Sequence, residues 1–183
     1  LKALNRLAGE PMDPAALAGL ASEVGSDCAL FLAGGPVVMR GRGERIEALA
    51  AAAAGRLRGR RLLLFKPGFG VSTPWAYGQL AAGGAYLAAA EAEARLAAWT
   101  RGGAPAEDLL YNNMEPPVFA KFPALPLLLG QLQADFSLAG RMSGSGSCCF
   151  ALLPGPGPSS GALAAAVRGA WGASAFIVET RLA

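Results

Sequence analysis

The chain has 183 residues, 53% of them hydrophobic and 16% charged, which is too apolar and too weakly charged for a disordered tail. That length suits one compact domain or two small parts of a larger one. No apolar run reaches the roughly 18 residues of a membrane-spanning helix, because the alanine stretch stops at Gly55-Arg56 and the leucine-rich one contains Pro126. The 25 Gly and 13 Pro follow no period, which argues against collagen-like or repeat architectures. Histidine is absent, so these residues alone build no Ser-His-Asp triad, Cys-His pair or histidine zinc site. Cys28, Cys148 and Cys149 lack C-x-x-C spacing; a disulfide framework or a four-thiolate metal site is not expected, and the setting reads as a reducing cytoplasm. The formal net charge is +3, with Arg56, Arg58, Arg60 and Arg61 clustered. No aromatic residue interleaves with those arginines, so they read as a solvated linker rather than a nucleic-acid platform.

In chain order, Leu4 and Leu7 fall at helical spacing before Gly9, so the sequence opens as if inside an element and a further N-terminal segment is expected. Asp13-Pro14 is a helix start, a capping side chain followed by proline at the first helical position. Leu17, Leu20 and Val24 continue the helical spacing, and Gly25 ends it. Residues 29–40 read as two short strands, ALFLA and PVVMR, broken at Gly34-Gly35. A basic turn at 41–43 leads into an alanine-rich stretch. Residues 55–61 are the expected domain boundary.

Beyond it comes a strand at 62–65, then Ser72-Thr73-Pro74, again a cap and an early proline, opening a helix at 74–82. Helix signals fill 85–99, and two short helices are expected at 115–122 and 124–134, parted near Pro123. Strands at 138–143 and 147–153 flank a Gly-Ser repeat. A Pro/Gly loop at 154–158 precedes a helix at 160–170, and SAFIVETR closes as a strand. Two strands joined by a tight loop favour an α+β fold, an antiparallel sheet with helices on one face, over a doubly wound parallel sheet.

Four strings could hold chemistry. In RMSGSGSCCFALL (141–153), Gly144 and Gly146 alternate with Ser143, Ser145 and Ser147. This pattern fits a concavity of backbone N–H groups suited to phosphate oxygens, and equally a plain hairpin turn; it is not a Walker A loop. Cys148 and Cys149 must face opposite sides of the following strand and read as packing residues, with no His or Lys beside them in sequence to activate a thiol. In GSDCALFLAGGPVVMRGRGER (25–45), Asp27 reads either as a turn residue or as a pocket-floor carboxylate able to orient or deprotonate a hydroxyl. In KPGFGVSTPWAY (66–77), Ser72 and Thr73 read as caps, and Tyr77 as core or as a stacking platform for a planar ring. In YNNMEPPVFAKFPAL (111–125), Asn113 and Glu115 read as helix caps.

In series, GSD, GGP…GRGE, KPGFGVSTPWAY, NNMEP and MSGSGS resemble the C-terminal part of the 4-diphosphocytidyl-2-C-methyl-D-erythritol kinase family, members of the GHMP kinase superfamily. The resemblance implies ATP-dependent phosphorylation of the substrate's 2-hydroxyl, with ATP and Mg2+ arriving as one complex, and no nucleic-acid or membrane partner. It makes Asp27 the catalytic aspartate, Tyr77 the stacking partner of the cytosine ring, and Gly144-Ser145-Gly146 the turn beside the phosphates. It implies that residues 1–55 end a GHMP N-terminal α/β domain. Residues 61–183 would then be the C-terminal domain, with a four-stranded antiparallel sheet. The family has an X-Pro after this aspartate where Cys28-Ala29 stand here. Its phosphate loop, Pro-x-x-x-Gly-Leu-Gly-Gly-Gly-Ser-Ser, and the lysine that partners the aspartate are not among these residues. The chain is therefore expected to be nearly inactive by itself.

Overall fold

A computed structural model of the chain describes residues 1–25, 27–41, 43, 45–84 and 86–182. Its backbone divides into two compact units, Leu1–Arg56 and Leu57–Ala183. The basic turn's Arg42, Glu44 of the GRGE string, and Ala85 at the start of the 85–99 helix signal lie outside the described residues.

The first unit runs α1 (Lys2–Leu7), α2 (Pro14–Val24), α3 (Leu30–Ala33), β1 (Val37–Arg40), β2 (Arg45–Ala48) and α4 (Ala51–Gly55). The start of α2 follows its cap: Asp13 Oδ1 accepts the Ala16 N–H at 2.8 Å, and Pro14 sits where no helical N–H is needed. ALFLA is not a strand. Its residues include no β-branched side chain, Ala and Leu favour helix, and they form the single turn α3, ended by Gly34 at φ +71°. The strand expected at PVVMR does form, as β1, and pairs antiparallel with β2 from Val37↔Ala48 to Arg40↔Arg45. β2 lies in the stretch after the basic turn, where no strand is expected from the sequence.

The second unit runs β3 (Arg61–Lys66), α5 (Thr73–Gly83), α6 (Ala89–Thr100), a 3-10 turn (Ala106–Leu109), α7 (Glu115–Lys121), α8 (Ala124–Phe136), β4 (Gly140–Met142), β5 (Cys149–Leu152), α9 (Ser160–Trp171) and β6 (Phe176–Arg181). Its four strands make one antiparallel sheet in the order β4-β5-β3-β6. Strand alternation puts Leu63 and Phe65 of β3, Cys149 and Ala151 of β5 and Met142 of β4 on the buried face. Ala76 and Leu80 of α5, Val118 of α7, Leu125, Leu128, Leu129 and Leu132 of α8, and Leu163 and Val167 of α9 close over it. The α8 leucines recur at i, i+3, i+4 and i+7, one helical stripe. Prolines at 116, 117 and 126 fall in the first turns of α7 and α8, where the backbone N–H groups have no helical partner in any case.

The unit's two ends meet. Arg61 lies opposite Arg181 in the β3–β6 ladder, and the Gly59 N–H donates to the Leu182 carbonyl at 2.8 Å. Arg61 also grips Glu179 with two hydrogen bonds, Nε to Oε1 at 2.6 Å and Nη2 to Oε2 at 3.0 Å.

Phe65 is fully buried, its ring 5.6 Å from that of Trp171. Phe65→Ala is expected to destabilise the second unit by about 3–5 kcal/mol. A urea titration followed by tryptophan fluorescence reads the change as a lower midpoint.

Candidate functional site

β3 ends at Lys66 and hands the chain to a loop that is tied down on several sides. Lys66 Nζ donates to the carbonyls of Pro67 and Phe69 at 3.4 Å each, and Ser147 Oγ donates to the Phe69 carbonyl at 2.5 Å. Phe69 stacks on Phe122 at 5.5 Å, Trp75 meets Phe122 edge-on at 6.0 Å, and Lys121 Nζ lies 4.1 Å over the Trp75 ring. The loop then enters α5 through its cap, where Ser72 Oγ accepts the Trp75 N–H at 3.4 Å. Tyr77, two residues further along α5, is 58% exposed. Its ring is therefore not a core residue and presents a face to solvent.

Between β4 and β5 the Gly-Ser string forms a hairpin turn. The Gly146 N–H donates to the Ser143 carbonyl at 3.0 Å, and the Ser143 N–H to the Cys148 carbonyl at 2.8 Å. Gly144 (φ +55°) and Gly146 (φ +82°) adopt the left-handed backbone that glycine permits. At Gly146 a Cβ would also come within 2.6 Å of Met142 Sδ. The hairpin reading thus holds for the backbone, which uses the N–H groups of Ser143 and Gly146 and not those of Gly144 and Ser145. The turn abuts the start of α5: the hydroxyls of Ser145 and Thr73 are 2.8 Å apart.

Asn113 and Glu115 do not act as helix caps. Asn113 Oδ1 reaches the Leu87 N–H at 2.7 Å, and Glu115 Oε1 accepts the Met142 N–H at 2.8 Å. Asn112, to which the sequence alone gives no role, donates through Nδ2 to the carbonyls of Met142 and Gly144, both at 2.8 Å, and accepts the Met114 N–H through Oδ1 at 2.9 Å. The only sequence signal for these bonds is the NNME string itself. Burial lifts the Glu115 carboxyl above the ordinary glutamate range, against the opposing pull of the Met142 N–H and the nearby Arg141 charge.

The thiols behave as packing groups. Cys149 is buried and its pKa is pushed up to about 12, first by burial and then by Cys148 and Glu115; burial raises Cys148 as well. Asp27 belongs to the first unit. It is exposed, on the bend between α2 and α3 that the Cys28 N–H closes onto the Gly25 carbonyl at 3.0 Å. Tyr77 and the Gly144–Gly146 turn share the second unit, joined through the first turn of α5.

Residues 88–173 match the family model described as "GHMP kinases C terminal". It is residues 88–173 that carry the likeness to the C-terminal domain of the GHMP kinases. Within that class the chain is similar to proteins named 4-diphosphocytidyl-2-C-methyl-D-erythritol kinase. The one from Rhizobium etli is 36% identical over 154 residues, which cover 84% of this chain and 48% of the relative. The one from Anaeromyxobacter sp. (strain K) is 37% identical over 171 residues, 93% of this chain and 52% of the relative. The chain thus spans about half the length of these relatives. A crystal structure of 4-(cytidine 5'-diphospho)-2C-methyl-D-erythritol kinase superposes with TM-score 0.70 and 33% identity, covering 100% of this chain and 62% of that one. Homoserine kinase from Cytophaga hutchinsonii, with TM-score 0.67 at 20% identity over 98% of this chain and 61% of that one, shares the fold.

Two measurements probe this geometry. Gly146→Ala meets both an unfavourable φ and the Met142 side chain, whereas Gly144→Ala has open space and meets only the φ. The first is expected to cost about 2–3 kcal/mol and the second about 1 kcal/mol, compared as urea midpoints. Glu115 supplies the second. Because its carboxyl holds its proton more tightly folded than unfolded, stability should fall as pH rises from the ordinary glutamate value, about 4.3, through the raised folded value. Glu115→Gln keeps an oxygen for the Met142 N–H and should remove that part of the slope from Tm plotted against pH.

Proposed function

We propose that the chain works as the C-terminal part of a small-molecule kinase that moves the γ-phosphoryl group of ATP to the 2-hydroxyl of 4-diphosphocytidyl-2-C-methyl-D-erythritol. The observation that carries this reading is the likeness, at 33% identity along the whole chain, to a kinase named for that substrate. The local geometry is compatible with it. An exposed aromatic ring stands on the helix whose first turn touches the glycine hairpin, through the Thr73 and Ser145 hydroxyls.

In this reading residues 1–55 close the N-terminal domain and residues 61–183 are the C-terminal domain. Asp27 accepts the proton of the 2-hydroxyl, or orients it, while the freed oxygen bonds to the γ-phosphorus and the bond to the ADP oxygen breaks. Tyr77 stacks on the cytosine ring. Gly144, Ser145 and Gly146 lie beside the phosphates, where the N–H groups not used by the hairpin face developing charge. Among the described residues no group of three or more His, Cys, Asp or Glu side chains is placed to hold a metal ion. In this reading Mg2+ enters as part of the nucleotide complex. Among the described residues no helix is long and apolar enough to cross a membrane; a cytoplasmic setting is part of the same proposed reading.

The glycine-rich phosphate loop of the family is not within these 183 residues, so turnover requires the half of the relatives that this chain does not span. The test is co-expression with the N-terminal half of the Rhizobium etli relative. ATP consumption on the cytidylylated substrate should appear with both halves and be nearly absent with this chain alone. Asp27→Asn should then lower kcat by about 100-fold or more. Tyr77→Ala should raise KM for the cytidylylated substrate by about 10-fold while leaving KM for ATP alone. Near-normal kcat in the Asp27 variant, or failure of CMP and CDP to compete, overturns the reading and leaves another GHMP kinase or a non-catalytic module.

A further inference from the structure

The hairpin turn is held by a side chain from outside the sheet, and the direction of that grip has a consequence for the turn's free N–H groups. Asn112 has every polar group of its amide engaged: Nδ2 toward the Met142 and Gly144 carbonyls, Oδ1 toward the Met114 N–H. A flipped amide would set its oxygen against two carbonyl oxygens and its NH2 against an N–H, so one orientation alone satisfies all three partners. In a planar trans peptide the carbonyl and the following N–H point in opposite directions. Holding the Met142 carbonyl on the Asn112 side therefore aims the Ser143 N–H away from it, and that N–H is found on the Cys148 carbonyl. The same logic at the next held carbonyl, Gly144, aims the Ser145 N–H away from Asn112. The hairpin does not use that group. Thr73 meets the Ser145 hydroxyl and ties this residue to the start of α5.

We propose that Asn112 is the positioning residue of the Gly144–Gly146 turn, setting through the Gly144 carbonyl the direction in which the Ser145 N–H is offered to a phosphate oxygen. The assignment rests on the kinase reading above for the phosphate, but not for the grip itself. Asp at position 112 matches the shape of Asn and reverses the chemistry, because a carboxylate has no donor and repels both carbonyls. Ala removes the donor without adding charge. Asn113 lies next in the loop yet bonds Leu87 rather than the turn, which makes it the control.

The experiment is amide hydrogen exchange by NMR on the 183-residue chain, with Asn112→Asp, Asn112→Ala and Asn113→Ala. Both Asn112 variants should speed exchange of the Gly146 N–H by about 10-fold or more and shift the Ser145 amide resonance. The β3 amides of Leu63 and Phe65 should keep their protection, and the Asn113 variant should leave the turn unchanged. Turn amides that exchange as in the parent chain overturn the assignment, as does equal acceleration in turn and β3, which would make Asn112 a general support of the fold. In the two-part enzyme, Asn112→Asp should raise KM for ATP by about 10-fold and leave KM for the cytidylylated substrate unmoved. A loosened turn with unaltered KM for ATP overturns the phosphate role of the turn, and an unloosened turn overturns the role of Asn112 whatever the kinetics.

Discussion

An edge strand leaves backbone N–H and C=O groups that its own sheet cannot satisfy, and leaving them unpaired in a buried place is costly. The second unit is arranged around one solution to that constraint. Met142 ends the edge strand β4 with its side chain in the core, so its outward peptide groups need partners that exclude water. The segment before α7 supplies them as side chains, Glu115 for the N–H and Asn112 for the carbonyl. It takes the place of a fifth strand without being one, and that choice fixes several other things at once. It sets the entry of α7, it offers no further ladder for another chain to extend at Met142, and it places an amide where it can also reach the glycine hairpin.

Much of this architecture is written in short-range chemistry. Asp13-Pro14 and Ser72-Thr73-Pro74 announce helix starts because a capping oxygen and a proline suit only that position, and both helices begin there. The α8 leucines announce a buried stripe by their spacing. The antiparallel sheet follows from two strands too close together for a crossover. What fails is ALFLA, where an apolar run of five residues carries no period and helix propensity decides. β2 escapes because RIEA, short and with charges at Arg45 and Glu47, becomes a strand only through its pairing with β1.

The site is less legible, for a different reason. Glycines announce a tight turn because left-handed backbone demands them, and Tyr77 announces itself by its place on a capped helix. Asn112 and Glu115 give no such notice. An asparagine or glutamate before a helix has local capping as its usual employment, and Asn112 keeps one such bond, to the Met114 N–H. Its other two partners and that of Glu115 are backbone groups about thirty residues away, and only the folded chain reveals that long-range pairing. Asp27 is a third case, since an exposed carboxylate on a bend takes its meaning from what approaches it rather than from what surrounds it.

The meeting of Arg61 with Arg181, and of Gly59 with Leu182, gives the second unit its entrance and exit side by side. A module closed in this way can be lifted out, rejoined through a brief linker and reopened elsewhere, as circular permutation requires. It can likewise be moved between hosts as a cassette, because the host chain is asked to bridge only the width of two neighbouring strands.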